Sequence, residues 1–173
     1  LSREFFKFVK SYTSLVEIAS IDECFADFTL PLKGIRDVET YFLDFQKKLF
    51  EKTQLKCSIG VGTTKFIAKM ASDYKKPEGL TIIRNREIAK YLYPLKVSDL
   101  FGIGKKTFPR LNSVGVYTIE DLAKRIDCND EDCENILGKF FYVIKDWLEG
   151  KGDDQIINEP DDPKSIGNRH YLP

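Results

Sequence analysis

The chain has 173 residues, of which 42% are hydrophobic and 13% aromatic, and its formal net charge is zero. This composition predicts a folded protein of one or two small domains and excludes a disordered tail. No apolar run approaches the roughly 20 residues of a membrane span, and no secretory signal opens the sequence, so no membrane partner is expected. Four cysteines are too few for a disulfide scaffold, which favours a reducing cytoplasm.

The zero net charge conceals an uneven distribution. Acidic residues gather over residues 127–134 and 149–162, which leaves residues 96–110 locally basic. Binding to a nucleic acid would therefore depend on local patches and not on the field of the whole protein. Net charge is weak evidence against a DNA-binding protein and does not exclude one.

Two short strands and a long helix come first. Residues 15–20 and 25–30 are predicted strands, with residues 21–24 in the turn between them. Residues 38–52 are predicted to form an amphipathic helix, because apolar side chains recur there at helical spacing. These side chains are Val38, Tyr41, Phe42, Phe45 and Leu49.

A strand–helix–strand set follows. Residues 56–62 are predicted to form a strand, and Thr63 or Thr64 can cap the helix after it. The run Lys76-Pro77-Glu78-Gly79 ends that helix, and residues 80–83 form another strand. The alternation predicts a sheet layered with helices.

After Arg84 the strand patterns disappear, and the second half is predicted to be a small all-helical domain. Its short helices are expected at residues 86–93, 97–100, 105–113, 119–125 and 139–148. From Gly150 onward the chain is polar and carries Pro160 and Pro163, which is typical of a linker.

Asp22 and Glu23 are the first candidates for chemistry. On one continuous strand Asp22 would share a face with Ala26 and Phe28, where an unpaired buried carboxylate is costly. A turn at residues 21–24 would instead present both carboxylates at the end of a sheet. The pair is then either a solvated turn or a Mg²⁺ site, because Mg²⁺ takes one or two carboxylates together with substrate phosphates. The pair alone leaves both interpretations open.

Residues 58–69 resemble a phosphate loop but lack the Gly-Lys-Ser/Thr run of the Walker pattern. A helix N-terminus with Thr63, Thr64 and Lys65 favours an anion. Glycines for close packing and a threonine cap explain the same residues equally well. At the far end of the helix, Lys76 either compensates the helix dipole or reaches a triphosphate.

The run Phe101-Gly102-Ile103-Gly104-Lys105-Lys106 lies between two short predicted helices. Its glycines would let another backbone approach closely, and the start of the next helix would donate N–H groups. Lys105, Lys106 and Arg110 add positive charge, which together suits contact with a phosphate backbone of any sequence. A glycine-bearing turn between helices is the structural alternative.

Three other features carry little weight. Cys128 and Cys133 have no second pair of zinc ligands nearby, and residues 127–134 lack the glycine of a calcium loop. The single histidine, His170, lies in the polar C-terminal segment, so a histidine-based catalytic triad is not expected.

Taken in order, these residues resemble a Y-family (translesion) DNA polymerase of the bacterial polymerase IV and UmuC-like type. Ser-Ile-Asp-Glu at residues 20–23 is similar to the second catalytic palm motif of that family, and residues 58–79 are similar to its long palm signature. Residues 97–121 resemble the helix-hairpin-helix of its thumb. Lys164-Ser165-Ile166-Gly167 resembles the start of its tether to the little-finger domain.

The resemblance implies an α+β fold. Residues 1–84 would be a partial palm with a ferredoxin-like sheet, residues 85–162 an all-α thumb with a helix-hairpin-helix, and residues 163–173 the start of the tether. Asp22 and Glu23 would be the catalytic residues that bind two Mg²⁺ ions. Lys76 would bind the incoming dNTP, and the DNA-binding residues would be Phe101, Gly102, Ile103, Gly104, Lys105 and Lys106.

The implied reaction is attack by a primer 3′-hydroxyl on the α-phosphate of a dNTP, on templates that include damaged bases. The implied partners are primer–template DNA, the dNTP and, through segments absent from this chain, a replication sliding clamp. The first palm strand, which carries a further metal-binding aspartate in the family, has no match here, and neither do the fingers. We therefore expect a palm–thumb fragment that binds DNA weakly and does not polymerise alone.

Two alternatives belong to other classes. A non-catalytic relative could keep the fold and bind DNA as an adaptor, although the presence of both Asp22 and Glu23 argues against this. A nucleotide cyclase could share a palm-like sheet and two-metal chemistry, but the sequence lacks a Gly-Gly-Asp/Glu-Glu-Phe-type motif.

The predicted hairpin departs from the family pattern at two positions. Phe101 stands where the polymerases often have proline, and Pro109 lies in the next helix. These departures affect the detailed geometry expected of the hairpin and not its identity.

Overall fold

A computed structural model describes residues 2–152, residue 156 and residues 169–172. The chain divides into two compact units. The first, called here the sheet unit, comprises Leu1–Ile83 and Asp153–Pro173, and the second, the helical unit, comprises Arg84–Gly152. Among the described helices, none has the length and apolar character needed to cross a membrane.

The sheet unit is built on a five-stranded mixed sheet with the strand order β1-β2-β5-β3-β4. Strands β1 and β2 are antiparallel, and every other neighbouring pair is parallel. The elements are α1 (Ser2–Lys10), β1 (Val16–Ser20), β2 (Glu23–Ala26), α2 (Val38–Thr53), β3 (Ser58–Val61), α3 (Lys65–Tyr74), β4 (Leu80–Ile82) and β5 (Arg169–Leu172).

The first hairpin differs from the sequence prediction at its turn. Strand β2 begins at Glu23 and not at residue 25, so only Ile21 and Asp22 form the turn. Cys24 is fully buried and pairs with Ile18, which requires an extended backbone earlier than the polar residues suggest. An irregularity between Ile18 and Ser20 absorbs the change of register.

Helices α1 and α2 together supply most of the buried aromatic side chains of the sheet unit. The predicted helix at residues 38–52 is confirmed and extends by one residue, to Thr53. Phe42, Phe45 and Leu49 are fully buried. The ring centroid of Phe45 lies 4.7 Å from that of Tyr12 and 5.0 Å from that of Phe8. This cluster anchors α2 in the hydrophobic core of the sheet unit.

Strand β3 packs against helix α3 through a glycine. A Cβ atom at Gly60 would lie 2.0 Å from the carbonyl oxygen of Ala68 and 2.2 Å from the backbone nitrogen of Ser72. No side chain fits there without moving the helix. At the start of α3 the hydroxyl of Thr64 accepts a hydrogen bond from the Ile67 N–H, so Thr64 and not Thr63 is the cap.

The helical unit contains five short α-helices and two 3₁₀ turns. Its core consists of fully buried apolar side chains, among them Leu92, Leu111, Ile119, Phe141 and Ile144. The elements are the 3₁₀ turns Asn85–Glu87 and Val97–Asp99 and the helices α4 (Ile88–Leu92), α5 (Phe108–Ser113), α6 (Ile119–Asp127), α7 (Glu131–Leu137) and α8 (Phe140–Leu148).

Two helices of this unit differ from the prediction. Helix α5 begins at Phe108, because residues 105–107 form a turn, and Pro109 lies in its first turn, where proline needs no hydrogen-bond donor. Helix α7 was not expected, since three of its seven residues are acidic. The Asp130 carboxylate caps it by accepting a hydrogen bond from the Cys133 N–H.

The C-terminal segment contributes a strand. A linker was predicted from Gly150, but Arg169–Leu172 form β5, between β2 and β3 and parallel to both. Arg169 pairs with Glu23 on one side and Ser58 on the other. Four residues in a polar segment carry no strand pattern of their own, because this pairing depends on distant parts of the chain. The rest of the predicted tether, residues 163–168 and residue 173, lies outside the described residues.

Candidate active site

Two of the residues singled out from the sequence line one cavity of the sheet unit. Asp22, in the β1–β2 turn, and Lys76, after α3, both border a cavity of about 360 Å³. Its other lining residues are Lys56, Cys57, Ser58, Pro77 and Glu78. Cavities of this size accept small ligands. The structure therefore brings a carboxylate and an ammonium group to one small-molecule-sized space, although they are far apart in the sequence.

Asp22 is exposed at the mouth of this cavity. The hydroxyl of Ser20 donates a hydrogen bond of 3.1 Å to its Oδ1, which holds the carboxylate in the turn. The turn itself is short because strand pairing resumes at Glu23, opposite Ser20. An exposed, oriented carboxylate can accept a cation without the desolvation cost of a buried one.

Glu23 begins β2 and is much less accessible than Asp22. Its side chain is only 16% exposed, and its Oε1 lies 3.3 Å from the Nζ of Lys69 on α3. Glu23 is not among the residues that line the cavity. The two adjacent acids thus have different surroundings: one faces solvent, and the other faces a lysine.

Lys76 is held by an acid of α3. Its Nζ lies 2.6 Å from Oδ1 of Asp73, and the other oxygen of Asp73 lies 3.5 Å from the Nζ of Lys69. Four charges of alternating sign, on Glu23, Lys69, Asp73 and Lys76, therefore follow one another; we call them the charge chain. Sequence reasoning missed Lys69 and Asp73. Their spacing of four on a predicted helix was the available signal.

Three residues in the loop between β3 and α3 and at the start of α3 have structural roles. A Cβ atom at Gly62 would lie 2.6 Å from Cγ2 of Ile67, and the Thr64 hydroxyl is used by the helix cap. Lys65 Nζ lies 2.8 Å from Oε1 of Glu17 and 5.6 Å from the centroid of the Phe25 ring. Close packing, a helix cap and an ion pair therefore account for Gly62, Thr64 and Lys65 without a bound phosphate.

The donor atoms near the cavity suit a hard cation. Carboxylate oxygens such as those of Asp22 and Glu23 are ligands for Mg²⁺, which fills its remaining positions with water and substrate phosphates. In the part of the chain that the structure describes, no group of three or more His, Cys, Asp or Glu side chains is placed to hold a metal ion. The chemistry of the pair fits Mg²⁺, with most ligands coming from solvent or substrate.

The cysteines near the site are not suited to nucleophilic chemistry. Cys57 lines the cavity, yet burial raises the pKa of its thiol far above the ordinary value. Burial also raises the pKa of the Cys24 thiol. Protonated thiols are poor nucleophiles and poor metal ligands at neutral pH. In the helical unit Cys128 and Cys133 are both free, and burial raises the pKa of Cys133 to about 12, so these two give no support to a zinc site.

The segment Phe101–Lys106 lies in the helical unit, and its two glycines differ. Gly102 has φ of 95°, and a Cβ atom there would lie 2.5 Å from Cζ of Phe140, so its glycine is needed for the fold. A Cβ atom at Gly104 would meet no atom within 4 Å. Ile103 is buried, whereas Phe101 is about half exposed beside Trp147. The backbone at Gly104 is therefore open to approach from outside.

Positive charge surrounds this open backbone. Within the described ranges, Lys105, Lys106 and Arg110 form no ion pair. Ile103, Thr107 and Phe108 donate backbone hydrogen bonds within the turn. In the described part of the chain, no carbonyl accepts a hydrogen bond from the N–H of Gly104, Lys105 or Lys106. Free N–H groups beside unpaired cations are a suitable surface for phosphate.

Comparison of the sequence with known proteins identifies its relatives. Residues 1–73 match the impB/mucB/samB family. DNA polymerase IV of Bacillus velezensis is 46% identical over 99% of this chain, and DNA polymerase IV of Oceanobacillus iheyensis is 38% identical over 99%. The chain spans 41% and 40% of the length of these two proteins.

Solved structures agree with the sequence comparison. A Y-family DNA polymerase chimera matches 92% of this chain with a TM-score of 0.77 and 25% sequence identity. The resemblance to the Y-family polymerases is confirmed. DinB of Sulfolobus solfataricus, also 25% identical, matches 99% of the chain with a TM-score of 0.71. The chain spans 46% and 47% of these two solved chains, so it corresponds to about half of each.

Proposed function

We propose that the protein to which this chain belongs is a DNA-directed DNA polymerase of the Y family, which extends primers past damaged template bases. The observation that carries the proposal is the shared cavity of Asp22 and Lys76, with Glu23 next in the chain. The relatives named DNA polymerase IV, at 38% to 46% identity over 99% of the chain, favour the same activity. In this reading the sheet unit is the palm and the helical unit is the thumb.

Acidic and basic residues would have different roles at the candidate site. Y-family polymerases use divalent metal ions, and we assign two Mg²⁺ ions here, with Asp22 and Glu23 as ligands. When bound, such ions activate the attacking hydroxyl and stabilise the leaving oxygen. Lys76 would neutralise the triphosphate of the dNTP as a point charge. Asp22 would therefore bind the metal ions, and Lys76 would contact the phosphates of the nucleotide.

The helical unit would hold the DNA. Its open turn at Gly104, with Lys105 and Lys106, would contact a phosphate of the primer–template duplex without reading its sequence. One solved structure is an insertion ternary complex of Dbh DNA polymerase, which is 26% identical to this chain and matches it with a TM-score of 0.72. By analogy, we propose primer–template DNA and a dNTP as partners. A sliding clamp and a bacterial cytoplasmic location remain predictions.

Primer extension tests the activity. The complete gene product would be assayed with Mg²⁺ on an abasic-site template, beside its Asp22→Asn form. We expect the rate to fall by about a hundredfold or more, because electrostatic stabilisation at the reacting phosphate is lost. Asp44→Asn is the matched control, since Asp44 is an exposed acid on α2 that pairs only with Lys48 in the described part of the chain. Equal rates for the wild type and Asp22→Asn would contradict the proposal.

The same assay separates the polymerase from the adaptor. DNA binding by the complete protein without any extension would favour the non-catalytic adaptor. The isolated chain of 173 residues is expected to bind DNA weakly and to extend no primer.

Salt dependence tests the DNA-binding surface. A Lys105→Ala/Lys106→Ala variant should bind duplex DNA more weakly, and the slope of log affinity against log salt should fall by about one per lost phosphate contact. Lys124→Ala is the control, because Lys124 is an exposed lysine of the same unit that pairs with Glu120. If the slope of log affinity against log salt decreases equally in the control and in the double variant, the assignment of the turn at Gly104 as a DNA contact is wrong.

A further inference from the structure

The charge chain joins the two ends of the candidate site. Lys69 lies between two carboxylates, 3.3 Å from Glu23 and 3.5 Å from Asp73. Asp73 lies between two ammonium groups, and its shorter contact, 2.6 Å, is with Lys76. Neither distance from Lys69 is short for a charged pair. Lys69 therefore divides its interaction between two acids, while Asp73 is bound most closely by Lys76.

The burial of these groups makes the division matter. Lys69 is 15% exposed and Glu23 is 16% exposed, whereas Asp73 and Lys76 are 41% and 34% exposed. Charges in a poorly solvated environment interact strongly and do not remain unpaired. By contrast the pair of Lys48 and Asp44 on α2, also spaced by four, is more than half exposed on both sides. That pair is a surface contact with little effect on its surroundings.

We infer that Lys69 and Asp73 are positioning residues, which exchange partners so that a cation at Glu23 releases Lys76 toward the cavity. A metal ion on the Glu23 carboxylate would remove the attraction that holds Lys69 there. Lys69 would then move fully to Asp73. With its charge satisfied by Lys69, Asp73 would hold Lys76 less strongly, and Lys76 could reach a triphosphate.

This inference rests on the proposed function, since it names a metal ion and a triphosphate as the two ligands. It adds that the binding of the metal ion and the binding of the triphosphate are linked through Lys69 and Asp73, which would contact neither ligand. Linkage is reciprocal, so a triphosphate on Lys76 would equally favour a cation at Glu23. A nucleotide bound without metal would meet a lysine still held by Asp73.

The exchange can be tested without any metal, by removing the Glu23 carboxylate. The probe is the NMR signal of each lysine Nζ in the complete chain, labelled with ¹⁵N. In Glu23→Gln, Lys69 should move to Asp73, and the Lys76 signal should shift toward that of an exposed lysine such as Lys124. In Glu23→Gln/Lys69→Met the Lys76 signal should return to its wild-type position. In Glu23→Gln/Lys69→Arg, which keeps a cation at position 69, the Lys76 signal should shift as it does in Glu23→Gln alone.

Controls and opposing results are defined by the same spectra. Asp44→Asn should shift the Lys48 signal and leave Lys76 unchanged, which excludes a general effect of charge removal. A Glu23→Gln spectrum in which Lys69 shifts and Lys76 does not would overturn the exchange. A shift of Lys76 of the same size in the Lys69→Met background would also overturn it, because simple electrostatics would then be sufficient.

A titration with Mg²⁺ then separates this inference from the proposed function. If Mg²⁺ reproduces the Glu23→Gln shifts of Lys69 and Lys76, and Asp22→Asn weakens that response, both are supported. If Glu23→Gln moves Lys76 as expected and Mg²⁺ moves neither lysine, the partner exchange stands. The metal site of the proposed function, and metal as the natural trigger, would then be overturned.

Discussion

The sheet unit and the helical unit each contain a short run of glycines and lysines that resembles a phosphate-binding loop, but the two runs have different surroundings. In the sheet unit, Gly60 is packed against α3, and Lys65 is paired with Glu17. In the helical unit, Gly104 faces open space, and Lys105 and Lys106 form no ion pair with any described residue. Similar sequences therefore serve a packed interior in one unit and an open basic surface in the other.

The difference indicates what each unit can bind. Paired charges that are partly buried around a small cavity suit one small ligand with a defined geometry. Unpaired cations on an exposed turn suit a long polyanion, because many weak contacts add up along a backbone. Composition alone treats the two runs alike. The neighbours that each run acquires in the fold distinguish them.

The largest effect expected is on the two hydrophobic cores. Phe45→Ala in the sheet unit and Phe141→Ala in the helical unit each remove a fully buried ring, at a cost of about 3–5 kcal/mol. Trp147, the only tryptophan of the sequence, lies in the helical unit and reports its unfolding. In urea, Phe141→Ala should lower the midpoint of the Trp147 fluorescence transition. Phe45→Ala should leave that midpoint nearly unchanged and lower the midpoint of the change in circular dichroism, to which the helices of both units contribute.

Equal shifts of the Trp147 transition in both variants would mean that the two units unfold together. Phe50→Ala is the control for loss of a ring, since Phe50 is 40% exposed and its removal should have little effect.

A smaller effect is expected at the two glycines. Gly60→Ala places a Cβ atom against the backbone of α3 and should lower the free energy of unfolding by about 1–3 kcal/mol. Gly104→Ala meets nothing and should change it by less than about 0.5 kcal/mol. Urea denaturation of both variants checks this. A destabilised Gly104→Ala variant would show that this turn, too, is shaped by internal packing.

The smallest effect concerns a capping carboxylate of the helical unit. Hydrogen bonds from the backbone N–H groups of Tyr117 and Thr118 lower the pKa of Asp121 below its ordinary value of 3.8. Because the folded state favours the ionised form, its contribution to stability is complete above that value and is lost as the pH falls through the lowered pKa. Asp121→Ala should cost about 1 kcal/mol at pH 7.

The difference between the wild type and Asp121→Ala should narrow as the pH falls below about 4, the value expected in the unfolded chain. Urea denaturation at several pH values gives this difference directly. Glu120→Ala removes a neighbouring acid of the same first turn and should show a smaller change with pH. A difference for Asp121→Ala that stays constant down to pH 3 would contradict the capping role.

Local patterns were sufficient for the elements with strong periodicity. Helix α2 followed from the spacing of Phe42, Phe45 and Leu49, and it lies where predicted. Strand β3 lies within the predicted residues 56–62. In both cases the apolar pattern lies within one continuous segment of the sequence, so the element can be recognised without knowing its distant partners.

Elements that depend on distant partners could not be predicted in this way. Strand β5 has four residues and gains its structure from pairing with β2 and β3. Helix α7 depends on one capping aspartate and a single fully buried residue, Cys133. The site shows the same division. Asp22, Glu23 and Lys76 are predicted site residues because they resemble family motifs, whereas the contact of Lys69 with Glu23 exists only in the fold.

The proposed metal site can be located directly in the sheet unit by paramagnetic broadening. Mn²⁺, which can replace Mg²⁺ and broadens nearby NMR signals, would be titrated into the ¹⁵N-labelled chain. If Asp22 and Lys76 border a metal site, the amide signals of residues 20–24, 56–58, 76 and 78 should broaden first, and Asp22→Asn should remove this broadening. Broadening that begins instead at the acidic residues 127–134, or that is unchanged in Asp22→Asn, would contradict the proposed site.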